Sequence, residues 1–164
     1  MLPFPTPAAD DPLRIVVHEG SRRELWPLFQ LADDSPAAIG DSVDQGVVHV
    51  ATAGGMPLGH SQVLPVEPGV FELRSLAVVS VRRRQGLGTR LVARSVSLAR
   101  DRSASRLVAG IPTAKLDVLG FFQRLGFRLL RVERDAYGPE HGYSEQLVAN
   151  GIPVRDRVWL ELEL

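Results

Sequence analysis

FELRSLAVVSVRRRQGLGTR, residues 71–90, decides how the rest of the chain is arranged. Phe71 to Val79 is apolar and rich in β-branched residues, the composition of a buried strand. Arg82 to Gly88 is basic and broken by glycines, so the chain turns there. From Thr89 the apolar residues resume at helical spacing. A strand thus runs through a glycine turn into a helix, with Gly86 and Gly88 where the backbone must bend freely or come close to a ligand. The first turn of such a helix presents free N–H groups and the positive end of the helix dipole, a natural seat for phosphate. An anionic ligand is the first expectation.

Composition sets the bounds. The 164 residues suffice for one compact domain with a core and fall short of two ordinary ones. Hydrophobic content of 45% and charged content of 23% are globular values, which argues against wholesale disorder. The formal net charge is zero, against non-specific nucleic-acid binding by the whole molecule. With no cysteine, disulfides, thiolate metal sites and cysteine nucleophiles are excluded, and a reducing compartment fits. The start, MLPFPTPAADDP, lacks the basic and apolar segments of a signal peptide, and no run approaches the roughly 20 apolar residues of a membrane span. The expectation is a cytoplasmic protein with no membrane partner.

Residues 1–12 carry four prolines and read as an extended arm, leaving 13–164 as the domain. LRIVVH (13–18) reads as the first strand. Ser21-Arg22-Arg23-Glu24 has the form of a capping box, so a helix is expected from Ser21 to about Asp33, with Pro27 marking a bend or an early break. Residues 36–45 fit either a loop or a short helix. Gly54-Gly55 between 46–53 and 56–65 predicts a β-hairpin, and Pro68-Gly69 a second turn, so three antiparallel strands lead into the 71–90 stretch. Leu87, Leu91, Val92, Ser95, Val96 and Ala99 give a helix to about Arg100. A strand at 107–111 follows, then a helix carrying Leu116, Leu119, Phe122 and Leu125 and closed by Gly126. The last strands lie at 127–133 and 154–164, separated by a long polar loop at 135–151. The fold class is α/β (α+β), one domain with a mixed, mostly antiparallel sheet flanked by helices.

Arg83-Arg84-Gln85-Gly86-Leu87-Gly88 fits Gln/Arg-x-x-Gly-x-Gly/Ala on a strand-to-helix turn, with LRSLAV before it and FFQRLGF after it. Together these segments, spanning about 46–127, resemble the GNAT superfamily of acyl-CoA-dependent N-acyltransferases. The ending NGIPVRDRVWLELEL is similar to that of a group of bacterial members. The resemblance implies acetyl-CoA as acyl donor and no metal. The backbone of Arg83, Arg84, Gln85, Gly86, Leu87, Gly88 and Thr89 would wrap the CoA pyrophosphate. Backbone groups of Leu76, Ala77 and Val78 would pair with the pantetheine arm like an added strand, and an N–H near Leu76 would face the thioester oxygen.

The reaction needs a neutral amine beside a thioester carbonyl, and hence a base. Glu72 lies eleven residues before Arg83, a spacing that matches the catalytic glutamate of the histone-acetyltransferase branch. Barring a bulge it shares strand parity with Leu76, so both side chains would face the cleft. The competing reading is a solvent-facing strand glutamate. Many superfamily members carry a tyrosine acid where this chain has Phe122, so either the thiolate leaves unassisted or the acid would be water or a tyrosine of the late loop, Tyr137 or Tyr143, with Tyr143 the candidate. The asparagine often found on the preceding loop is replaced, nearest by Lys115.

His49 and His60 lie in the strands of the hairpin and could face the acceptor cleft, though structural histidines are the plainer reading, and no histidine pair has metal spacing. Asp33, Asp34, Asp41 and Asp44 fall in the region that shapes the acceptor site in the superfamily; a solvated loop is the plainer reading. Arg82, Arg83, Arg84, Arg90 and Arg94 suit a polyphosphate cofactor. The leading expectation is direct acetyl transfer from acetyl-CoA to a primary amine of a small molecule or peptide. The alternatives are a non-catalytic acyl-CoA-binding module or sensor and, third, a nucleic-acid-binding domain. A homodimer is the oligomer to test for, since superfamily members often pair through sheet edges.

Overall fold

A seven-stranded sheet organises the computed structural model, which describes residues 11–164. Its strands are β1 (Arg14–Val17), β2 (Val47–Ala53), β3 (Met56–Glu67), β4 (Val70–Val78), β5 (Arg106–Pro112), β6 (Arg128–Glu133) and β9 (Arg157–Glu163). Between the last two, β7 (Val148–Ala149) and β8 (Ile152–Pro153) form a separate two-residue ladder. The helices are α1 (Trp26–Ala32), α2 (Pro36–Ser42), α3 (Leu87–Asp101) and α4 (Leu116–Arg124). In the large sheet the order is β1-β2-β3-β4-β5-β9-β6, antiparallel at every step except β4 to β5. That parallel step needs a crossover, and α3 supplies it. The expected single domain with a mixed, mostly antiparallel sheet is the observed fold.

The three antiparallel strands, the Gly54-Gly55 hairpin and the course of α3 follow the sequence reading. Gly126 closes α4 as expected, with φ of 93° and the Phe127 N–H donating to the Phe122 carbonyl at 3.1 Å. The arm expected at 1–12 lies almost wholly outside the described residues.

Three local expectations change and one open reading is decided. Ser21 makes no side-chain cap; Arg22–Leu25 is a 3-10 turn, and the α-helix starts at Trp26 with Pro27 in its first turn, where a missing N–H costs nothing. The 36–45 region is a short helix, α2, with Pro36 in its first turn and Ser35 Oγ accepting from the Ala38 N–H at 3.2 Å. β3 continues past Pro65 to Glu67, while the last strand starts at Arg157, later than expected. The long loop is partly ordered into a 3-10 turn at Pro139–His141 and the β7–β8 ladder.

Two apolar clusters hold the layers. Leu25, Leu28, Phe29 and Ile39 pack on Val48, Val50 and Leu58 at one end of the sheet. Val92, Leu107, Phe122, Phe127 and Leu160 form the second, beneath α3 and α4. Leu28, Leu91, Leu107 and Leu160 are fully buried, each worth roughly 1.5–3 kcal/mol over exposure.

His60 is a polar inclusion in this interior. It is fully buried, its ring centroid is 4.4 Å from that of Phe29, and its Nε2 lies 2.7 Å from Ser75 Oγ. Nδ1 has no partner among the described residues. Burial lowers its pKa to about 3, so the folded state keeps it neutral. The unfolded chain binds a proton there below about 6.5, so this contribution to stability is present above that pH and is lost as pH falls. His49 is shifted the same way, by burial and then by Arg94. Stability should therefore decline between pH 6.5 and 4.5, before carboxylates titrate, with His60 contributing about 1 kcal/mol per pH unit. Urea midpoints measured across this window should fall for the native protein and flatten for His60→Gln; an unchanged slope in the variant would contradict the assignment.

Candidate active site

β4 and β5 pair over only three residues, Val70 with Arg106, Phe71 with Leu107 and Glu72 with Val108. Beyond that point β4 stays on β3 as far as Val78, and β5 stays on β9 as far as Pro112. The two strands separate, and the facing backbone edges of Leu73–Val78 and Ala109–Ile111 are left without a strand partner. Open edges of this kind call for a strand-like occupant, because buried N–H and C=O groups need hydrogen bonds. Leu76, Ile111, Pro112, Val118 and Phe122 line the resulting cleft, part of a cavity of about 350 Å³.

The basic turn stands at the end of β4. Arg84 and Gly86 both have positive φ, 59° and 80°, and Gly86 is the N-cap of α3 in the left-handed region. A Cβ at Gly86 would meet nothing within 4 Å, so glycine serves the backbone angle there and leaves the space above it open. No side chain caps α3, and its first N–H groups have no protein acceptor among the described residues. Arg83 Nε donates to the Val78 carbonyl at 3.0 Å, and Gln85 to the Val81 carbonyl at 3.1 Å, which ties the turn to the strand. Across the cleft, Phe121 of α4 stands 3.4 Å from where a Gly88 Cβ would be, so α3 and α4 flank its mouth.

The parity expected of Glu72 and Leu76 does not hold. Ser75 pairs with Gln62 but Leu73 pairs with Val63, so Arg74 is an extra residue, a β-bulge. Glu72 therefore shares a face with Ser75, and Leu76 faces the α3 side with Ser61, whose Oγ is 3.0 Å from Ser95 Oγ on α3. Both still line the cavity, Leu76 at the opening of the slot. Glu72 is buried, which removes the reading of a solvent-facing glutamate. Its two carboxylate oxygens accept from Arg74 Nε at 2.6 Å and Nη2 at 2.7 Å, a bidentate pair. Ala77 is buried and opposite His60; Val78 is half-buried at the end of the strand.

The other wall comes from α1, the 135–151 loop and β9. Tyr143, buried, donates its hydroxyl to Asp33 Oδ2 at 3.1 Å; burial, and then Asp33, pushes its pKa up, so the phenol stays protonated. Its ring meets Tyr137 edge-on at 5.0 Å. Tyr137 in turn accepts at its hydroxyl from Arg157 Nε at 3.2 Å. Glu133 is held below the usual carboxylate range by the Trp159 indole N–H at 2.8 Å and by Arg157. Lys115 Nζ lies 3.8 Å from Asp34. Of the aspartates, Asp33 and Asp34 line the cavity, while Asp41 and Asp44 do not; His49 and His60 are outside it too. Phe122 is core, packed edge-on against Phe121 and Phe127. Sequence reading missed Arg74, Ser75, Arg157 and Trp159. The alternation Arg157, Trp159, Glu161 was a signal that these side chains share one face of β9.

Among the described residues no group of three or more His, Asp or Glu side chains is placed to hold a metal, and no helix is long and apolar enough to cross a membrane. A strand that parts from its neighbour and runs through a glycine turn to an uncapped helix terminus suits an elongated ligand with phosphate at one end. Residues 11–127 match the acetyltransferase (GNAT) family, and the chain belongs to it. An uncharacterised N-acetyltransferase of Bacillus subtilis strain 168, YvbK, is 30% identical over 152 residues, which cover 93% of this chain and 97% of that one. Among solved structures, a Bacillus subtilis acetyltransferase in complex with CoA superposes with TM-score 0.84 at 30% identity, covering 93% and 99% of the two chains. An IAA acetyltransferase from Bacillus cereus superposes with TM-score 0.83 at 28% identity, over 92% and 100%.

Gly86→Asp should weaken CoA binding at least about tenfold, because a carboxylate would repel the pyrophosphate and an L side chain is strained at this φ. Calorimetric titration with CoA checks this; unchanged affinity would dissociate the turn from the pyrophosphate.

Proposed function

We propose that the protein is an acetyl-CoA-dependent N-acetyltransferase acting on a primary amine of a small molecule or peptide by direct attack. The observation that carries this reading is the separation of β4 from β5, with the uncapped α3 terminus at its end. The family relatives with bound CoA support it. Backbone groups of Leu76, Ala77 and Val78 hold the pantetheine arm on the open edge of β4, and Arg83 to Thr89 cradle the pyrophosphate. These contacts need few specific side chains, which is why the motif consists of glycines and a turn.

In the transfer, the amine nitrogen bonds to the thioester carbonyl carbon and the C–S bond breaks. The Leu76 N–H faces the oxygen on which charge develops. Glu72 takes the proton that the amine loses: its carboxylate is in the cavity, and Arg74 fixes its orientation while lone pairs remain on both oxygens. Tyr143 supplies the proton to the departing sulfur. Its hydroxyl is bound to Asp33, so it must exchange that acceptor for the thiolate during the step.

Glu72→Gln should lower kcat about 100-fold while leaving acetyl-CoA affinity intact. CoA-thiol release across a pH series reads this, and a rate unchanged at every pH would remove Glu72 as the base. Tyr143→Phe should lower kcat about tenfold or more with KM nearly constant, and Asp33→Asn should not reproduce it. A rise in KM with kcat intact would instead make Tyr143 a wall of the acceptor pocket. The second reading, an acyl-CoA-binding module, is favoured by Phe122 at the position of the family's tyrosine. It prevails if acetyl-CoA binds but no amine in a broad panel releases thiol.

A further inference from the structure

Arg157 is built as a receptor for an anion, and the donor half-site does not use it. Its guanidinium lies 4.9 Å from the centre of the Tyr137 ring and 5.4 Å from that of Trp159. Nε is committed to the Tyr137 hydroxyl and Nη1 to Glu133 Oε2 at 3.2 Å, while Nη2 has no partner among the described residues. The side chain lines the cavity and lies across Gly110 of β5, where an added Cβ would stand 2.7 Å from Arg157 Cδ and 3.2 Å from the Trp159 ring. Glycine at 110 therefore makes room for this arginine. A guanidinium clamped on two nitrogens and sandwiched by rings is rigid, so little rotamer freedom is lost when its remaining edge meets a carboxylate. Glu133, which offsets part of its charge, also aims it.

The other charges lining the cavity are Asp33, Asp34, Glu72, Arg74 and Lys115. Arg74 is occupied by Glu72, and Lys115 lies near Asp34. Asp33 reaches Arg157 only through the Tyr143 and Tyr137 rings, which hold the acidic and basic ends apart. A ligand that carries both an ammonium and a carboxylate matches these charges, and Tyr137, Trp159, Leu147 and Val154 offer apolar surface for its side chain.

We infer that the acceptor is a free amino acid, its carboxylate bound by Arg157 beside Trp159 and its amine directed to the Glu72 and Asp33 side of the cavity. This rests on the acetyltransferase reading and narrows its acceptor. It follows that neutral amines are poor substrates even when they are the right size, and that the carboxylate contributes to binding more than to the chemical step.

The test compares L-phenylalanine and L-leucine with their amides, and with tripeptides bearing the same residue at the N-terminus, whose carboxylate lies further from the amine. Binding is read by fluorescence of Trp159 in a Trp26→Phe background, and turnover by thiol release. The free acids should bind about tenfold or more tightly than the amides and tripeptides. Arg157→Gln should abolish that preference through KM while acetyl-CoA still binds; Gly110→Ala, which crowds Arg157 without removing it, should weaken it. Equal or better binding of the amides or tripeptides, a preference that survives Arg157→Gln, or no binding of the acids would overturn the inference. Acetyl-CoA binding with turnover of any amine would leave the acetyltransferase reading standing in those cases. Acid binding without turnover of any acceptor would remove that reading and retain the carboxylate site.

Discussion

Everything in the donor half of the molecule depends on one parallel strand pair that stops early. β4 and β5 share three register positions and then part, and each can do so because its other edge is fully paired, β4 to β3 and β5 to β9. Open backbone in the interior of a sheet needs hydrogen bonds from elsewhere, from water or from a bound ligand. The chain places its last strand, β9, between β5 and β6, which supports β5 along its whole length where β4 leaves it. The bulge at Arg74 falls two residues beyond the last β4–β5 pair, and it turns Glu72 toward one face of the sheet and Leu76 toward the other. On the proposed function, backbone for the donor and a carboxylate for the acceptor thus come from the seven residues Glu72 to Val78 without competing for one surface.

The acceptor half is governed by a different constraint, the cost of charge in a partly closed cavity. Glu72 is satisfied by Arg74, and Asp33 by the Tyr143 hydroxyl and the Ser35 N–H at 2.9 Å. Arg157 is held by Glu133 and Tyr137. Internal pairing of this kind keeps ionised groups in place before any ligand arrives and fixes the direction of whatever hydrogen-bonding capacity is left over. It also couples distant parts of the chain: residue 33 to residue 143, and residue 133 to residue 157.

The glycine turn at the end of β4 was legible in the sequence and the Arg157 side of the cavity was not, for a physical reason. Glycines at a strand-to-helix turn are local signals, because φ near 80° at Gly86 is written in the identity of one residue. The period of α3 and the cap at Gly126 are local in the same way. The bulge at Arg74 is not: it is a property of how β4 registers against β3, and nothing in LRSLAV announces it. Ser21 and Glu24 resemble a capping box, yet Pro27 two residues after Leu25 moved the helix start downstream, one local rule overriding another. Ser35-Pro36 was a readable helix start in a stretch left open between loop and helix. Arg157 and Trp159 line the cavity through tertiary contacts with Glu133 and Tyr137, which lie twenty or more residues away from them.

Phe122 shows how the two halves constrain one another. Packed between Phe121 and Phe127 under the sheet, it is committed to the core and has no polar partner to offer a leaving thiolate. A side-chain proton donor would therefore come from outside α4, and the cavity offers the tyrosines of the late loop. Tyr143 is anchored to Asp33 and Tyr137 to Arg157, with the two rings in contact. On the proposed mechanism, the loop that supplies the acid is also the loop that lines the acceptor side of the cavity. Changes in acceptor chemistry would then alter the phenol's hydrogen bonding, and with it the ease of thiolate departure. On that mechanism, substrate choice and the last proton transfer are linked through one pair of aromatic rings.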